Sequence, residues 1–206
     1  TTVTLSDNRV AGDVLTDSYA SATFADKNAG TGKVVSVSGI SISGADASNY
    51  TLASTSTTTT ADITQRTLTV SATGADRVYD ATNAATVTLS DNRIAGDVLT
   101  DSYASATFAD KYVAAGKTVS VSGISISGAD AANYLLSSTR ALTTADITAV
   151  VSGAISGIGA GVSVALSLNG GTPVTTTTTD ANGSFSFGGN LFVSSGDSML
   201  IYINND

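Results

Sequence analysis

An internal repeat is the feature that most constrains the fold of this 206-residue chain. The stretch ISISGADASNY at residues 40–50 returns as ISISGADAANY at residues 124–134. Residues 2–64 align with residues 86–148 without a gap, and about four positions in five are identical. Two segments this similar must fold in the same way. The repeat therefore predicts three modules, at residues 1–64, 65–148 and 149–206, of which the third has a different sequence.

The second copy is longer than the first. It is preceded by RTLTVSATGADRVYDATNAA at residues 66–85, which has no counterpart ahead of the first copy. We therefore expect the chain to begin inside a repeat. Near-identical tandem copies are typical of repeat arrays, so we also expect the chain to be a segment of a longer repetitive protein.

Short runs of alternating apolar and polar residues predict that the modules are all-β. Val119 and Val121 alternate with threonine and serine, as do Val87 and Leu89, and turn residues separate the runs. The expected fold is a set of tandem small antiparallel β-sandwich modules of immunoglobulin-like type. The alternative is a β-grasp-like module with one short helical turn, for which GADAANY at residues 128–134 is the only suitable place.

Two local features of the repeat have structural interpretations. The apolar phase slips by one residue at Gly39 and at Gly123, which predicts a β-bulge at each glycine. An aspartate also stands four residues before a tyrosine in both copies, at Asp46 and at Asp130. This spacing resembles that of immunoglobulin-type domains, in which the tyrosine hydroxyl bonds back to the backbone at a corner between strands. We expect Tyr50 and Tyr134 to have that structural role.

Composition argues against catalysis. The chain has no histidine and no cysteine, and all 17 acidic residues are aspartate, so the usual acid–base and thiolate groups are missing. No spacing typical of a serine nucleophile occurs. We expect no enzyme activity, no catalytic residue, and no cofactor-binding or metal-binding residue. The formal net charge of -8 disfavours nucleic acid, and no apolar stretch is long enough for membrane insertion.

Structural calcium is the one metal hypothesis left open, because hard cations bind aspartate oxygens. The candidates are Asp76, Asp80 and Asp146 near a module boundary, with Asp62 at the matching place in the first copy. None of them has the spacing of a dedicated calcium loop, and SDNR and TTDANG are more simply explained as turns.

Two threonine runs, at residues 57–60 and 175–179, suggest glycosylation or ice binding. Solvated edge strands or linkers are the favoured interpretation of both runs.

The region 149–206 predicts part of a further β-sandwich. Val164 and Leu166 alternate with small residues, which indicates a half-buried strand, and Phe185 and Phe187 restart the alternation after a turn at Gly183. The run TTTDANGSFSF resembles prealbumin-like surface modules related to the regulatory domain of some carboxypeptidases. The ending GDSMLIYINND is expected to stop before such a module would finish.

The repeat itself resembles the YDG-type repeat of large bacterial exoproteins, which include filamentous-haemagglutinin-like adhesins exported by two-partner secretion. The resemblance rests on VYD at residues 78–80, FADK at 24–27 and 108–111, GK before the valine strand, and GADAANY. Ala81 stands where the family name expects glycine. The resemblance implies an array module and no catalytic residue.

We therefore expect a non-catalytic stalk or fibre segment of a secreted or cell-surface adhesin, with the binding region elsewhere. Its expected partners are neighbouring repeats of the same or another chain, and a surface glycan or a host or biofilm matrix. One alternative is that the repeats themselves bind a glycan or matrix, using Tyr19, Tyr103 or Tyr112. Another is a fibre assembled by strand exchange between chains.

Overall fold

The computed structural model describes residues 1–188, 191–193 and 197–204, and it confirms the all-β fold class. Strands dominate because β-branched residues alternate with small polar ones. The strands are β1 (Thr16–Ser18), β2 (Ser21–Phe24), β3 (Gly30–Ser38), β4 (Ser41–Ser43), β5 (Ser56–Ile63), β6 (Arg66–Leu68), β7 (Val70–Gly74), β8 (Arg77–Val78), β9 (Val87–Asp91), β10 (Thr100–Ser102), β11 (Ser105–Phe108), β12 (Ala114–Ser122), β13 (Ser125–Ser127), β14 (Tyr134–Leu136), β15 (Arg140–Thr148), β16 (Val151–Ala154), β17 (Ser163–Leu168), β18 (Pro173–Thr178), β19 (Ser184–Phe187) and β20 (Met199–Ile203).

The described helical structure is confined to two 3₁₀ turns, Ala47–Asn49 and Ala131–Asn133. Both lie in the GADA-x-NY motif, so the place predicted for a helical turn is confirmed. Among the described residues, no helix has the length and apolar character needed to cross a membrane.

The chain divides into two compact units. Unit 1 comprises Thr1–Leu68, Ile94–Leu99 and Ser127–Leu135, and thus contains the first repeat and two short segments of the second. Its sheets have the orders β2-β3-β5 and β1-β4, and every registered pair is antiparallel.

Unit 2 comprises Thr69–Arg93, Thr100–Ile126 and Leu136–Asp206. Its largest sheet has the order β11-β12-β15-β8, and β7 pairs with β9 in a second small sheet. The pair β15–β8 is parallel, whereas β12 is antiparallel to both of its neighbours.

The β-bulge predicted at Gly39 and Gly123 is wrong. At both glycines φ is +67°, and one strand ends just before them while the next begins just after, in a different sheet. Within the two repeats, register shifts lie instead between Gly30 and Lys33 and at the matching place in the second copy. The slip in apolar phase therefore marks the crossing from one sheet to another.

The cores of both copies use the inward face of one strand. In β3, Val35 and Val37 are buried, and in β12 Val119 and Val121 take the same places. Burying a valine side chain contributes about 1.5–3 kcal/mol, so this alternating face contributes strongly to the stability of each copy. Phe108 on β11 is also buried, and the Arg77 guanidinium lies 5.2 Å from its ring centroid.

The last part of unit 2 has its own small core. β16 pairs with β19, and the sheet β18-β17-β20 carries Val164 and Leu166, which cluster with Phe185, Phe187 and Leu191. The two phenylalanine rings have centroids 5.5 Å apart. The predicted turn is confirmed, since Gly183 has a φ of +75°.

The prediction that β17 is half-buried is wrong. The consecutive residues from Val164 to Ser167 are all buried, so both faces of this central strand are covered. Alanine and serine at the second face are small enough to be buried there. Ser167 keeps its hydroxyl satisfied by donating to the carbonyl oxygen of Gly171 at 2.7 Å.

Candidate functional site

The most developed polar site in the described residues is a lysine held between two aspartates within unit 1. Lys27 Nζ lies 2.7 Å from Oδ1 of Asp97 and 2.8 Å from Oδ1 of Asp130. Lys27 belongs to the FADK motif of the first repeat, and both aspartates belong to the second repeat. The aspartate side chains are only 11% exposed, whereas that of Lys27 is 63% exposed. We call these three residues the lysine clamp.

The two aspartates are positioned by the GADAANY motif. Oδ2 of Asp130 accepts the backbone N–H of Val98 at 2.9 Å. The hydroxyl of Tyr134 donates to Oδ2 of Asp97 at 2.6 Å and accepts the backbone N–H of Ile94 at 2.9 Å. Oδ2 of each carboxylate thus accepts a hydrogen bond from within the second repeat, and Oδ1 forms the ion pair with Lys27. The predicted tyrosine-to-backbone bond is confirmed, and its partner is the Ile94–Leu99 loop.

Neutral hydrogen bonds surround the lysine clamp. The backbone N–H of Ala29 donates to Oδ1 of Asn133 at 2.8 Å, and Nδ2 of Asn133 donates to Oδ1 of Asn28 at 3.2 Å. Gln65 Nε2 donates to the carbonyl oxygen of Ala132 at 2.9 Å. The two bonds of Asn133 connect the first repeat with the second, and Gln65 lies where the two repeats meet, so the clamp is the centre of a wider polar contact.

The electrostatics of the clamp fix its protonation states. Hydrogen bonds from Lys27 and then Tyr134 lower the pKa of Asp97, and Lys27 followed by the Val98 N–H lowers the pKa of Asp130. Hydrogen bonds to Asp130 and Asp97 raise the pKa of Lys27 in turn. Burial, followed by the hydrogen bond to Asp97, raises the pKa of Tyr134. The amine is therefore an ammonium ion without a lone pair, suited to ion pairing and not to nucleophilic attack.

The other motif residues form ion pairs that hold loops. Lys117 of the GK motif pairs with Asp110 of FADK at 2.5 Å, and Lys33 pairs with Asp26 at the matching place. These pairs close the loop between β11 and β12 and the one between β2 and β3. They explain why FADK and GK occur together in each copy.

The SDNR motif is also structural. Oδ1 of Asp91 accepts the backbone N–H of Arg93 at 2.9 Å, and the Arg93 guanidinium binds both Asp91 and Asp101. Arg93 lowers the pKa of Asp91, whereas burial, followed by the neighbouring Asp91, raises the pKa of Asp101. The predicted turn is confirmed, and a guanidinium bridge to β10 accompanies it.

In the structure, the calcium candidates accept hydrogen bonds, three of them from distant backbone N–H groups and Asp80 within a turn. Asp76 accepts the backbone N–H of Asp146, Asp146 accepts that of Gly116, and Asp62 accepts that of Gly32. Asp80 binds Arg77 and the Thr82 N–H and hydroxyl. Within residues 1–188, 191–193 and 197–204, no three aspartates gather closely enough to hold a metal ion.

The tyrosines considered for glycan binding differ in exposure. The hydroxyl of Tyr19 accepts the backbone N–H of Val3, and that of Tyr103 accepts the N–H of Val87, so both half-buried rings are tied to backbone. Tyr112 is 67% exposed.

The threonine runs lie on β5 and on and just after β18, each the terminal strand of its sheet in the described topology. This position confirms the expectation of edge strands, but Thr179, at the end of the second run, is buried and not solvated.

Sequence reasoning missed the lysine clamp. Four consecutive residues, 28–31, differ between the copies, and such variation is typical of a loop without a specific contact. The missed signal was Lys27 itself, which both copies retain directly beside the variable positions. The GADAANY motif was found, but it was assigned only to holding its own copy together.

Comparison with known families identifies the repeat. The YDG domain matches twice, over residues 1–59 and 64–142. No curated protein and no solved structure matches the chain significantly. The two matches cover the VYD, FADK, GK and GADAANY motifs and the whole of the lysine clamp. The chain therefore belongs to the YDG domain family.

Proposed function

We propose that this chain is a non-catalytic structural segment of a secreted or cell-surface adhesin of the large bacterial exoprotein type. The tandem YDG repeats set the reach of the molecule, and a binding region elsewhere makes the adhesive contact. The region 149–206 is, in this proposal, a prealbumin-like module that follows the array. The single observation that carries the proposal is the polar contact between two copies centred on Lys27, Asp97 and Asp130.

A contact of this kind suits a mechanical role. Beside the lysine and its two aspartates, Asn133 forms hydrogen bonds with Ala29 and Asn28, so several polar groups restrain the two copies together. An exposed ion pair alone contributes about 0–1 kcal/mol. Because the two copies belong to one chain, they meet at a high effective concentration, so a contact of this small free energy is enough to keep them together.

Small-angle X-ray scattering on chains of increasing repeat number tests the proposal. The chain is compared with versions that carry one and three added copies of residues 1–84 in front. We expect the maximum dimension to grow by a near-constant increment of roughly 30–40 Å per copy, about the length of a nine-residue strand. A dimension that barely grows would mean that the repeats collapse into one body, and the stalk proposal would be wrong.

A second candidate is a repeat that binds a glycan, and one observation favours it. Tyr112 is 67% exposed, and exposed tyrosines are common anchors of polar ligands. A glycan array with the chain and its Tyr112→Asn variant tests this candidate, since asparagine is the residue that the first copy carries at Asn28. Binding that the variant loses would support the candidate, and binding by neither protein would refute it.

A further inference from the structure

The first repeat contains a second set of the aspartates that hold Lys27. Asp13, Asp46 and Tyr50 stand 84 positions before Asp97, Asp130 and Tyr134. Their internal hydrogen bonds repeat those of the clamp closely. Tyr50 donates to Oδ2 of Asp13 at 2.5 Å and accepts the N–H of Val10 at 2.9 Å, and Oδ2 of Asp46 accepts the N–H of Val14 at 2.9 Å. We call Asp13 and Asp46 the open socket.

The open socket has no lysine among the described residues. No ion pair there involves Asp13 or Asp46, and the described hydrogen bonds leave Oδ1 of each carboxylate unused. Oδ1 is the atom that binds Lys27 in the second copy. Both aspartates are partly accessible to solvent. Two partly exposed carboxylates thus have the same internal hydrogen bonds as the pair that, 84 residues later, binds an ammonium ion.

The neighbours of the open socket are also suited to a second copy. Asn49 stands where Asn133 binds Ala29 and Asn28. Ser48 replaces Ala132, but Gln65 contacts only the backbone carbonyl at that position, so the substitution leaves the acceptor in place. The first copy therefore keeps every accepting group of the contact described above.

We infer that the open socket binds the FADK lysine of a further YDG repeat, a second copy of the module that presents Lys27. The partner is identified by the occupant that this set of atoms has in the second repeat, a lysine ammonium flanked by Asn28 and Gln65. The inference rests on the proposed function, because it deepens the array by naming the residues that join successive copies.

The second repeat provides a matched internal comparison. Lys111 corresponds to Lys27, is exposed, and forms no ion pair among the described residues. Tyr112 and Ala149 replace the flanking Asn28 and Gln65, so this copy presents the lysine without its neutral hydrogen-bond partners. Lys111 is thus the reference for an unclamped lysine in the same protein.

Amine footprinting on an extended chain tests the inference. One copy of residues 1–84 is added in front, marked by Thr23→Ser at an exposed position so that its lysine peptide has its own mass. An acylating reagent attacks only the neutral amine, and an ion-paired lysine reacts slowly. We expect the added copy's lysine and the original Lys27 both to react at least about threefold more slowly than Lys111.

Paired substitutions make the assignment specific. Asp13→Asn with Asp46→Asn, introduced in the original first copy, is expected to accelerate only the added copy's lysine. Asparagine keeps an acceptor for the Tyr50 hydroxyl and for the Val14 N–H, so the fold is preserved. The same exchange at Asp97 and Asp130 is the control, and it is expected to accelerate only the original Lys27.

An added lysine that reacts as fast as Lys111, or that ignores the exchange at Asp13 and Asp46, would overturn the inference. The scattering experiment separates this failure from that of the proposed function. Constant growth per copy with an unprotected lysine refutes the socket alone, whereas no growth refutes the array itself.

Discussion

Alanine at Gly128 tests whether the loop that carries Asp97 and the turn that carries Asp130 are held in direct contact. Gly128 has a φ of +117°, and a Cβ added there would lie 2.4 Å from the carbonyl oxygen of Val98. Gly96 is the matched control, because its φ is +96° and a Cβ there would meet nothing within 4 Å. Both substitutions carry the backbone cost, but only Gly128→Ala adds a collision.

The expected losses follow from these two terms. A non-glycine residue at such a φ costs about 1–3 kcal/mol, which both variants share. Forcing an extra methyl group against packed backbone costs about a further 1–3 kcal/mol at Gly128. For a chain of this size the additional term lowers Tm by about 2–12 °C relative to Gly96→Ala.

Thermal and urea unfolding, followed by far-ultraviolet circular dichroism and tyrosine fluorescence, measure both variants against the parent. Gly44→Ala and Gly12→Ala repeat the comparison in the first copy, where a Cβ at Gly44 would lie 2.3 Å from the Val14 carbonyl oxygen and one at Gly12 would meet nothing. Equal losses within each pair would refute the reasoning, because the close approach to the neighbouring carbonyl would then carry no cost.

Three further predictions concern the core, a strained turn and pH. Phe108→Ala is expected to destabilise the chain by about 3–5 kcal/mol and Phe24→Ala by less, because only Phe108 is fully buried, and urea unfolding measures both. Ala81→Gly is expected to raise Tm, since Ala81 has a φ of 67°, and an unchanged or lower Tm would contradict this. Lys27→Gln is expected to destabilise most between about pH 5 and 10. Because the aspartate pKa values are lowered, the stability that the ion pairs contribute is lost as the pH falls below about 4. Because the lysine pKa is raised, that stability is lost on the alkaline side only above about pH 10. A stability difference that is flat with pH would count against the lysine clamp.

The strand content could be predicted from the sequence, since alternation around Val119 and Val121 identifies a face that is buried in the structure. The sheet to which each strand belongs could not. A one-residue shift in the apolar alternation is expected both for a β-bulge and for a chain that leaves one sheet to enter another. At Gly123, only the pairing of the strands on either side distinguishes these two cases. Likewise, the sequence did not indicate that the second face of β17 is buried, because alanine and serine there are equally common on exposed faces.

The candidate site was predictable in part. The spacing of Asp130 and Tyr134 indicated a structural tie to backbone, because local spacing carries local hydrogen bonds. Lys27 lies 70 residues from Asp97, and no periodicity within one copy relates the two. In the sequence, a contact between copies can be detected only from the residues that both copies retain.

The backbone conformation at Ala81 explains why the family motif has a glycine at the position where this chain has alanine. Its φ of 67° is the left-handed conformation that glycine adopts without steric cost, and the Asp80 carboxylate stabilises the turn by accepting the Thr82 N–H at 2.9 Å. The turn thus tolerates alanine because the aspartate before it fixes the backbone.

The lysine clamp joins unlike surfaces, with a lysine loop on one copy and a pair of aspartates on the next. An association of this heterologous kind has a direction. In the array that we propose, each copy that satisfies one surface would offer the other again. Growth by such contacts has no intrinsic end point within the module. In the proposed array, the number of copies, and with it the length of the assembly, would be set by the gene and not by a binding equilibrium. Duplication or loss of one 84-residue unit would lengthen or shorten the protein without requiring any new contact to evolve.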